Sequence, residues 1–89
     1  MRIYARVKGH VQGVGFRYFV VQHAHRLNLT GWVKNCSNGD VECEAQGTNS
    51  ALDDFKAKLK DGHTWARVDT IHVEDIQDQQ EEDEFVIRH

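Results

Sequence analysis

The chain has 89 residues, of which 39% are hydrophobic and 28% charged, and its formal net charge at pH 7 is −3. This length predicts a single domain over residues 1–89 with no room for a large internal cavity, and the lack of a long apolar run or apolar leader predicts a cytoplasmic protein without a membrane-spanning helix. Residues 1–39 carry six basic residues and no acidic one, which predicts a local positive field for an anionic ligand but does not by itself separate phosphate from nucleic acid.

The first predicted elements are a strand and a helix joined by a glycine-rich segment. Apolar and polar residues alternate over residues 3–8, which is typical of a half-buried strand. After the glycine-rich residues 9–15, apolar residues recur at helical spacing over residues 16–27 and predict an amphipathic helix. Asn28 and Gly31 are the residues expected to end it.

Residues 30–35 and 40–46 predict two strands that form a hairpin. For Cys43 to share the apolar face with Val33, the connecting loop must contain an odd number of residues. We therefore expect a three-residue loop that ends with Gly39 in the left-handed conformation.

The cysteines and histidines do not predict a disulfide or a metal site. The same parity places Cys36 and Cys43 on opposite faces of the hairpin, which excludes a disulfide between them. Two cysteines are also too few for a disulfide framework, and their spacing is not that of a metal centre. Of the six histidines, only His23 and His25 are close neighbours, and two residues apart on a helix they point in different directions.

The remaining chain predicts a second helix and two more strands. Asn49 or Ser50 is expected to cap the helix. Residues 68–76 predict a strand whose imperfect alternation indicates a bulge, and residues 85–87 a short last strand. The acidic, glutamine-rich run 78–84 between them is expected to be a solvated loop.

This order of elements, β-α-β-β-α-β plus a terminal strand, predicts a ferredoxin-like α+β sandwich. In that fold an antiparallel sheet carries two helices on one face. The fold hosts many unrelated activities, so the function has to be argued from a site.

The first candidate site is the segment G-H-V-Q-G-V-G-F-R, residues 9–17, between the first strand and the first helix. Its glycines let the backbone curl so that N–H groups converge on an anion. The positive end of the following helix and the guanidinium of Arg17 add charge at the same place. The alternative is a tight connection with an exposed arginine.

The second candidate is G-W-V-K-N, residues 31–35, which leads into the hairpin turn. By the parity argument Asn35 lies on the same face as Val33, which is the face covered by the helices. A polar amide there needs hydrogen-bond partners or a function. The alternative is an asparagine that bonds to its own turn.

Together, V-Q-G-V-G-F-R and G-W-V-K-N-x-x-x-G-x-V closely resemble the acylphosphatase family, and the resemblance extends along nearly the whole chain. It implies metal-independent and cofactor-free hydrolysis of an acyl phosphate by water, to a carboxylate and inorganic phosphate. It implies that Arg17 binds the phosphate and that Asn35 positions the attacking water. Backbone N–H groups of a cradle, residues 9–15, would bind the phosphate; these residues are Gly9, His10, Val11, Gln12, Gly13, Val14 and Gly15.

The implied chemistry suits these residues. Phosphoryl transfer passes through a loose transition state, and a carboxylate whose conjugate acid has a pKa of roughly 4 leaves without a general acid. Positioning of water and stabilisation of charge on the phosphate oxygens are then the main tasks. A role for the His10 ring as a general acid is a weaker interpretation than a role for the His10 backbone N–H in the cradle.

Two other functions remain open from the sequence. One is a non-enzymatic domain that holds phosphate or carbamoyl phosphate for a partner, as similar domains do at the start of larger carbamoyl-transferring proteins. The other is nucleic-acid binding through Tyr4 and Trp32, which are expected on the open face of the sheet. Chain length and the presence of both Arg17 and Asn35 favour the enzyme, acting as a monomer without nucleic acid or membrane partners.

Overall fold

The computed structural model describes residues 1–89. It contains seven helices and strands, in the regions where alternation and helical spacing predict them. The elements are β1 (Arg2–His10), α1 (Phe16–Arg26), β2 (Thr30–Asn35), β3 (Val41–Gln46), α2 (Asn49–Asp61), β4 (Arg67–Ile76) and β5 (Phe85–Ile87). Neither helix is long and apolar enough to cross a membrane.

The strands form one five-stranded sheet in the order β4-β1-β3-β2-β5, and the predicted ferredoxin-like α+β fold is confirmed. β1 is antiparallel to β3 and β4, and β2 is antiparallel to β3. β5 is the exception to the expected antiparallel sheet, because it pairs parallel to β2. The carboxyl ends of β1 and β2, which both lie next to β3, are therefore at the same edge of the sheet.

The core lies between the sheet and the two helices. β1 and β3 contribute alternate side chains, and each helix contributes one apolar stripe. The central residues of the core are fully buried: Ile3, Ala5, Val7, Phe16, Val20, Ala24, Val41, Cys43, Ala45, Leu52, Phe55 and Leu59. Because Phe16 is the first residue of α1, this packing fixes the start of the helix against the sheet.

The β2–β3 hairpin has the predicted three-residue loop. Val33 pairs with Cys43, the Cys36 N–H donates to the Asp40 carbonyl at 2.8 Å, and Gly39 has a φ of 97°. Cys36 and Cys43 are free thiols, as the parity requires.

The predicted bulge in β4 is confirmed. Lys8 pairs with Thr70 and Gly9 with Val68, so Asp69 is the extra residue on β4. A Cβ atom on Gly9 would collide with the Arg67 carbonyl. The close approach of the two strands at the bulge therefore requires glycine at this position.

Of the two residues expected to end α1, Asn28 is confirmed and Gly31 is wrong. Asn28 takes the left-handed conformation after the helix, with a φ of 56°, whereas Gly31 lies within β2, where a Cβ atom would collide with the Glu44 carbonyl. The cap of α2 lies one residue earlier than expected. Thr48 is extended, and its hydroxyl accepts the Ala51 N–H at 3.1 Å.

The open face of the sheet carries a network of charges that neutralises most of the basic N-terminal residues. Arg2 is only 2% exposed and pairs with Glu44 at 2.9 Å and Glu82 at 2.7 Å. Arg6 and Lys8 both pair with Asp40, at 2.8 Å and 2.9 Å. Glu82 is thus a structural partner of β1, although it lies in the run for which the sequence predicts a solvated loop.

This network makes the stability of the fold depend on pH. Hydrogen bonds from Arg6 and Lys8 lower the pKa of Asp40 from 3.8 to about 2. A carboxyl whose pKa is lower in the folded state stabilises the fold above its unfolded pKa, and this contribution is lost as the pH falls from about 4 to about 2.

We therefore expect the Asp40→Asn variant to lose less stability than the wild type between about pH 4 and pH 2. Urea unfolding midpoints across this range would measure it. Parallel pH profiles for the two proteins would show that Asp40 is not a titrating stabiliser of the fold.

Candidate functional site

A small cleft lies where the cradle, the start of α1 and the end of β2 meet. Its volume is about 150 Å³, and the residues that line it are Val11, Gly13, Gly15, Phe16, Arg17, Tyr18 and Asn35. The structure thus brings Arg17 and Asn35, 18 positions apart in the chain, to the same cavity. A larger groove of about 480 Å³ between α2 and β4 includes neither of them.

Only part of the predicted cradle faces this cleft. Val11, Gly13 and Gly15 line it. Gly9 and His10 belong to β1 and pair with Val68 and Arg67 of β4. Gln12 and Val14 are half-buried beside the cleft without lining it.

Gly13 and Gly15 shape the cleft by their backbone conformation. Both have a φ of 76°, which side-chain-bearing residues adopt only with strain. A Cβ atom on either would meet no protein atom within 4 Å. The space next to these two glycines is therefore free for a ligand.

The start of α1 presents unneutralised positive charge to the cleft. Gly15 is its N-cap and provides no side-chain cap, and the first turn contains no acidic residue. The free N–H groups of that turn and the helix dipole favour an anion. Arg17, half-buried in the same turn, forms no ion pair, in contrast to Arg2 and Arg6.

Asn35 supplies the only buried side-chain oxygen or nitrogen in the protein that lacks a hydrogen-bond partner. That atom is its Oδ1. An unmet buried acceptor costs roughly 1–3 kcal/mol, and a hydrogen bond donated to it from the cleft would remove that cost. The alternative role in the turn belongs to Asn38, whose Oδ1 accepts the Asp40 N–H at 3.1 Å.

The side chains near the cleft do not form a metal-binding cluster. No group of three or more His, Cys, Asp or Glu side chains is placed to hold an ion. His10, considered from the sequence as a general acid, is exposed and does not line the cleft.

Sequence reasoning missed Tyr18 and the side-chain contacts of Gln12. Tyr18 lines the cleft while 71% exposed, and its position next to Arg17 on the first turn was a usable signal. The side chain of Gln12 donates to the hairpin carbonyls of Cys36 and Asp40, at 2.8 Å each. These partners are 24 and 28 residues away, and no local pattern indicates them.

Comparison with known proteins identifies relatives over nearly the whole chain. The family model described as Acylphosphatase matches residues 3–87. An acylphosphatase from Geobacillus thermodenitrificans (strain NG80-2) is 45% identical over 86 residues, which cover 97% of this chain and 92% of the relative.

Solved structures give the same family resemblance. The crystal structure of an acylphosphatase from Bacillus subtilis matches with a TM-score of 0.94 and 39% identity, covering 99% of this chain and 98% of that chain. The crystal structure of T. kodakarensis HypF matches with a TM-score of 0.86 and 33% identity, covering 100% of this chain but 12% of that chain.

The space beside Gly15 leads to a prediction with a matched control. Gly15 and Gly39 both have positive φ, and a Cβ atom on either would have no protein atom within 4 Å, but only Gly15 lines the cleft. Alanine at either position should lower the free energy of unfolding by about 1–2 kcal/mol. Only Gly15→Ala should also weaken the binding of inorganic phosphate, by about tenfold, or ~1.4 kcal/mol.

Urea unfolding and isothermal titration calorimetry with inorganic phosphate would measure the two effects on each variant. Equal phosphate affinity in Gly15→Ala and Gly39→Ala would show that Gly15 is a turn residue without a part in anion binding.

Proposed function

The chain belongs to the acylphosphatase family, and we propose that the cleft between Arg17 and Asn35 is the active site in which it hydrolyses acyl phosphates. Membership implies an acyl phosphate as substrate and inorganic phosphate as product. The observation that carries the assignment of the site is the buried, unpartnered Asn35 Oδ1 in the same cleft as the unpaired guanidinium of Arg17.

The phosphoryl group is proposed to sit against the cradle and the first turn of α1. Backbone N–H groups of that turn and the guanidinium fork of Arg17 donate to its oxygens, a geometry that suits phosphate. Since Arg17 forms no ion pair, binding the anion breaks no existing salt bridge. The same donors stabilise the charge that spreads over the equatorial oxygens in the transition state.

Asn35 is proposed to hold the attacking water. Its Oδ1 accepts a hydrogen bond from the water O–H and thereby directs an oxygen lone pair at phosphorus. The water oxygen forms the new P–O bond while the bond from phosphorus to the carboxylate oxygen breaks, and the electron pair leaves with the carboxylate. The water's protons pass to solvent and to the phosphate product.

This chemistry needs neither a strong base nor a metal. A loose transition state demands little activation of the nucleophile, and the carboxylate leaves without protonation because its conjugate acid has a pKa of roughly 4. Arg17 and the N–H groups of the helix supply the positive charge that a divalent cation supplies in other phosphoryl-transfer sites.

The alternative is a domain that holds phosphate or carbamoyl phosphate without hydrolysing it. The match to HypF, of which this fold makes up 12%, shows that the fold also occurs within a much longer chain. Turnover by this chain on its own distinguishes the enzyme from the binding domain.

We also propose that residues 1–89 act as one domain and as a monomer in the cytoplasm, without nucleic-acid or membrane partners. One feature supports the part of this proposal on nucleic acid, and another supports the part on the compartment. Trp32 is covered by Arg88, 4.7 Å from its ring centre, so it presents no free stacking surface for bases. Cys36 and Cys43 are free thiols, which suits a reducing compartment.

The activity itself is tested with acetyl phosphate and benzoyl phosphate in the presence of excess chelator. We expect both to be hydrolysed at a rate that the chelator does not change, with inorganic phosphate as a competitive inhibitor. Loss of activity with chelator, restored by magnesium, would contradict the mechanism, and tight phosphate binding without turnover would favour the binding domain.

Substitution of the two side chains should separate their effects. Arg17 contacts the phosphate in both ground state and transition state, so Arg17→Ala should raise KM and lower kcat. Asn35 contacts only the water, so Asn35→Ala should lower kcat by roughly 10²–10³-fold with little change in KM. Because Asn35→Ala also removes the unmet acceptor, it should not lower the free energy of unfolding.

Arg26→Ala is the control for the loss of charge, because it removes an exposed guanidinium from the other end of α1. It should keep kcat and KM near the wild-type values. A folded Asn35→Ala variant with normal kcat would refute the positioning of water, and a folded Arg17→Ala variant with normal kcat and KM would refute the site.

A further inference from the structure

We propose that Gln12 is a positioning residue, which holds Asn35 at the correct distance from the phosphate cradle by fastening the cradle to the β2–β3 hairpin. This inference rests on the proposed function. It concerns the side chain of Gln12, whereas the resemblance to the family implied only a backbone N–H of the cradle.

The two halves of the site come from separate parts of the chain. The phosphate-binding groups lie on the cradle and α1, and the water-binding amide lies at the last residue of β2. Arg17 and Asn35 form no hydrogen bond with each other. Their separation therefore depends on whatever fixes the cradle relative to the hairpin.

Gln12 provides that fixation. Its Nε2 donates one hydrogen bond to the Cys36 carbonyl and one to the Asp40 carbonyl, each at 2.8 Å. No other side chain of residues 9–17 hydrogen-bonds to the hairpin. Cys36 directly follows Asn35, so the contact is made one residue from the amide that it would position.

The two carbonyls are those that close the three-residue loop. The Asp40 carbonyl also accepts the Cys36 N–H at 2.8 Å, and the Cys36 carbonyl accepts the Gly39 N–H at 3.2 Å. The Gln12 amide thus bonds to a turn that its own hydrogen bonds already hold rigid. Because the turn is rigid, fixing it to the cradle also fixes the position of Asn35. The base of the hairpin is held separately, through the carboxylate of Asp40 and its partners on β1.

The geometry demands a particular side chain. One nitrogen with two hydrogens serves two carbonyl oxygens, which glutamine provides. Asparagine is one methylene shorter, a glutamate carboxylate has no hydrogen to donate, and methionine has similar length but no donor. Loss of the two bonds should let the cradle and hairpin move apart, and small misplacements of reacting groups cost up to about 10²-fold in rate.

The test is a double-mutant cycle between Gln12→Met and Asn35→Ala, with benzoyl phosphate as substrate. Gln12→Met alone should lower kcat by roughly 10–100-fold, with less than about a threefold change in KM and in the inhibition constant of inorganic phosphate. In the Asn35→Ala background the same substitution should have almost no further effect, because the group that it positions is gone.

Gln46→Met is the matched control. Gln46 also fastens a loop through its side-chain amide, with Nε2 donating to the Gln79 carbonyl at 2.9 Å, but at the opposite end of β3. It should keep wild-type kcat. If Gln12→Met does not fold, Gln12→Leu, which is uncharged and has no hydrogen-bond donor, replaces it in the cycle.

The outcomes separate this inference from the proposed function. Additive losses of kcat in the cycle, or a raised phosphate inhibition constant, would overturn the positioning role and place Gln12 in general stability or in phosphate binding. Normal kcat in either folded Gln12 variant would also overturn it. In contrast, a wild-type protein without turnover would refute the proposed function itself.

Discussion

The register of the β2–β3 hairpin is the constraint on which the rest of the structure depends. Its three-residue loop pairs Val33 with Cys43 and so sends Asn35 to the helix-covered face. A two-residue loop would shift the pairing by one residue and put Asn35 on the same face as Glu42 and Glu44, so that either the two glutamates are buried or Asn35 turns to the open face. The left-handed backbone at Gly39, with a φ of 97°, makes the odd loop possible.

The basic side chains on the open face of the sheet form ion pairs, whereas the positive charge at the cleft is left unpaired. On the open face, carboxylates neutralise Arg2, Arg6, Lys8 and Lys34. The positive field predicted for residues 1–39 is therefore largely cancelled, and what remains at the cleft is the first turn of α1 with Arg17. The unmet buried acceptor of Asn35 costs stability at the cleft, and departures of this kind from a fully satisfied fold are common at functional sites.

Local pattern was sufficient for the architecture, the odd hairpin loop and the bulge in β4, because each follows from alternation and parity. Local pattern was insufficient where contacts between residues far apart in the sequence determine the structure. Gly31 is glycine because the Glu44 carbonyl approaches it, Gly9 and His10 join β1 because β4 extends to meet them, and the contacts of Gln12 span the fold. The roles of Arg17 and Asn35 came from the family resemblance, and the geometry supplies a reason for them that spacing alone does not.

The central claim is that water, held by the Asn35 amide, attacks phosphorus and displaces a carboxylate. Hydrolysis of an acyl phosphate in H₂¹⁸O, followed by mass spectrometry of both products, tests it most directly. The account predicts one ¹⁸O atom in each inorganic phosphate and none in the carboxylate. Label in the carboxylate instead would mean that water attacks the acyl carbon, which would contradict the proposed arrangement of the site.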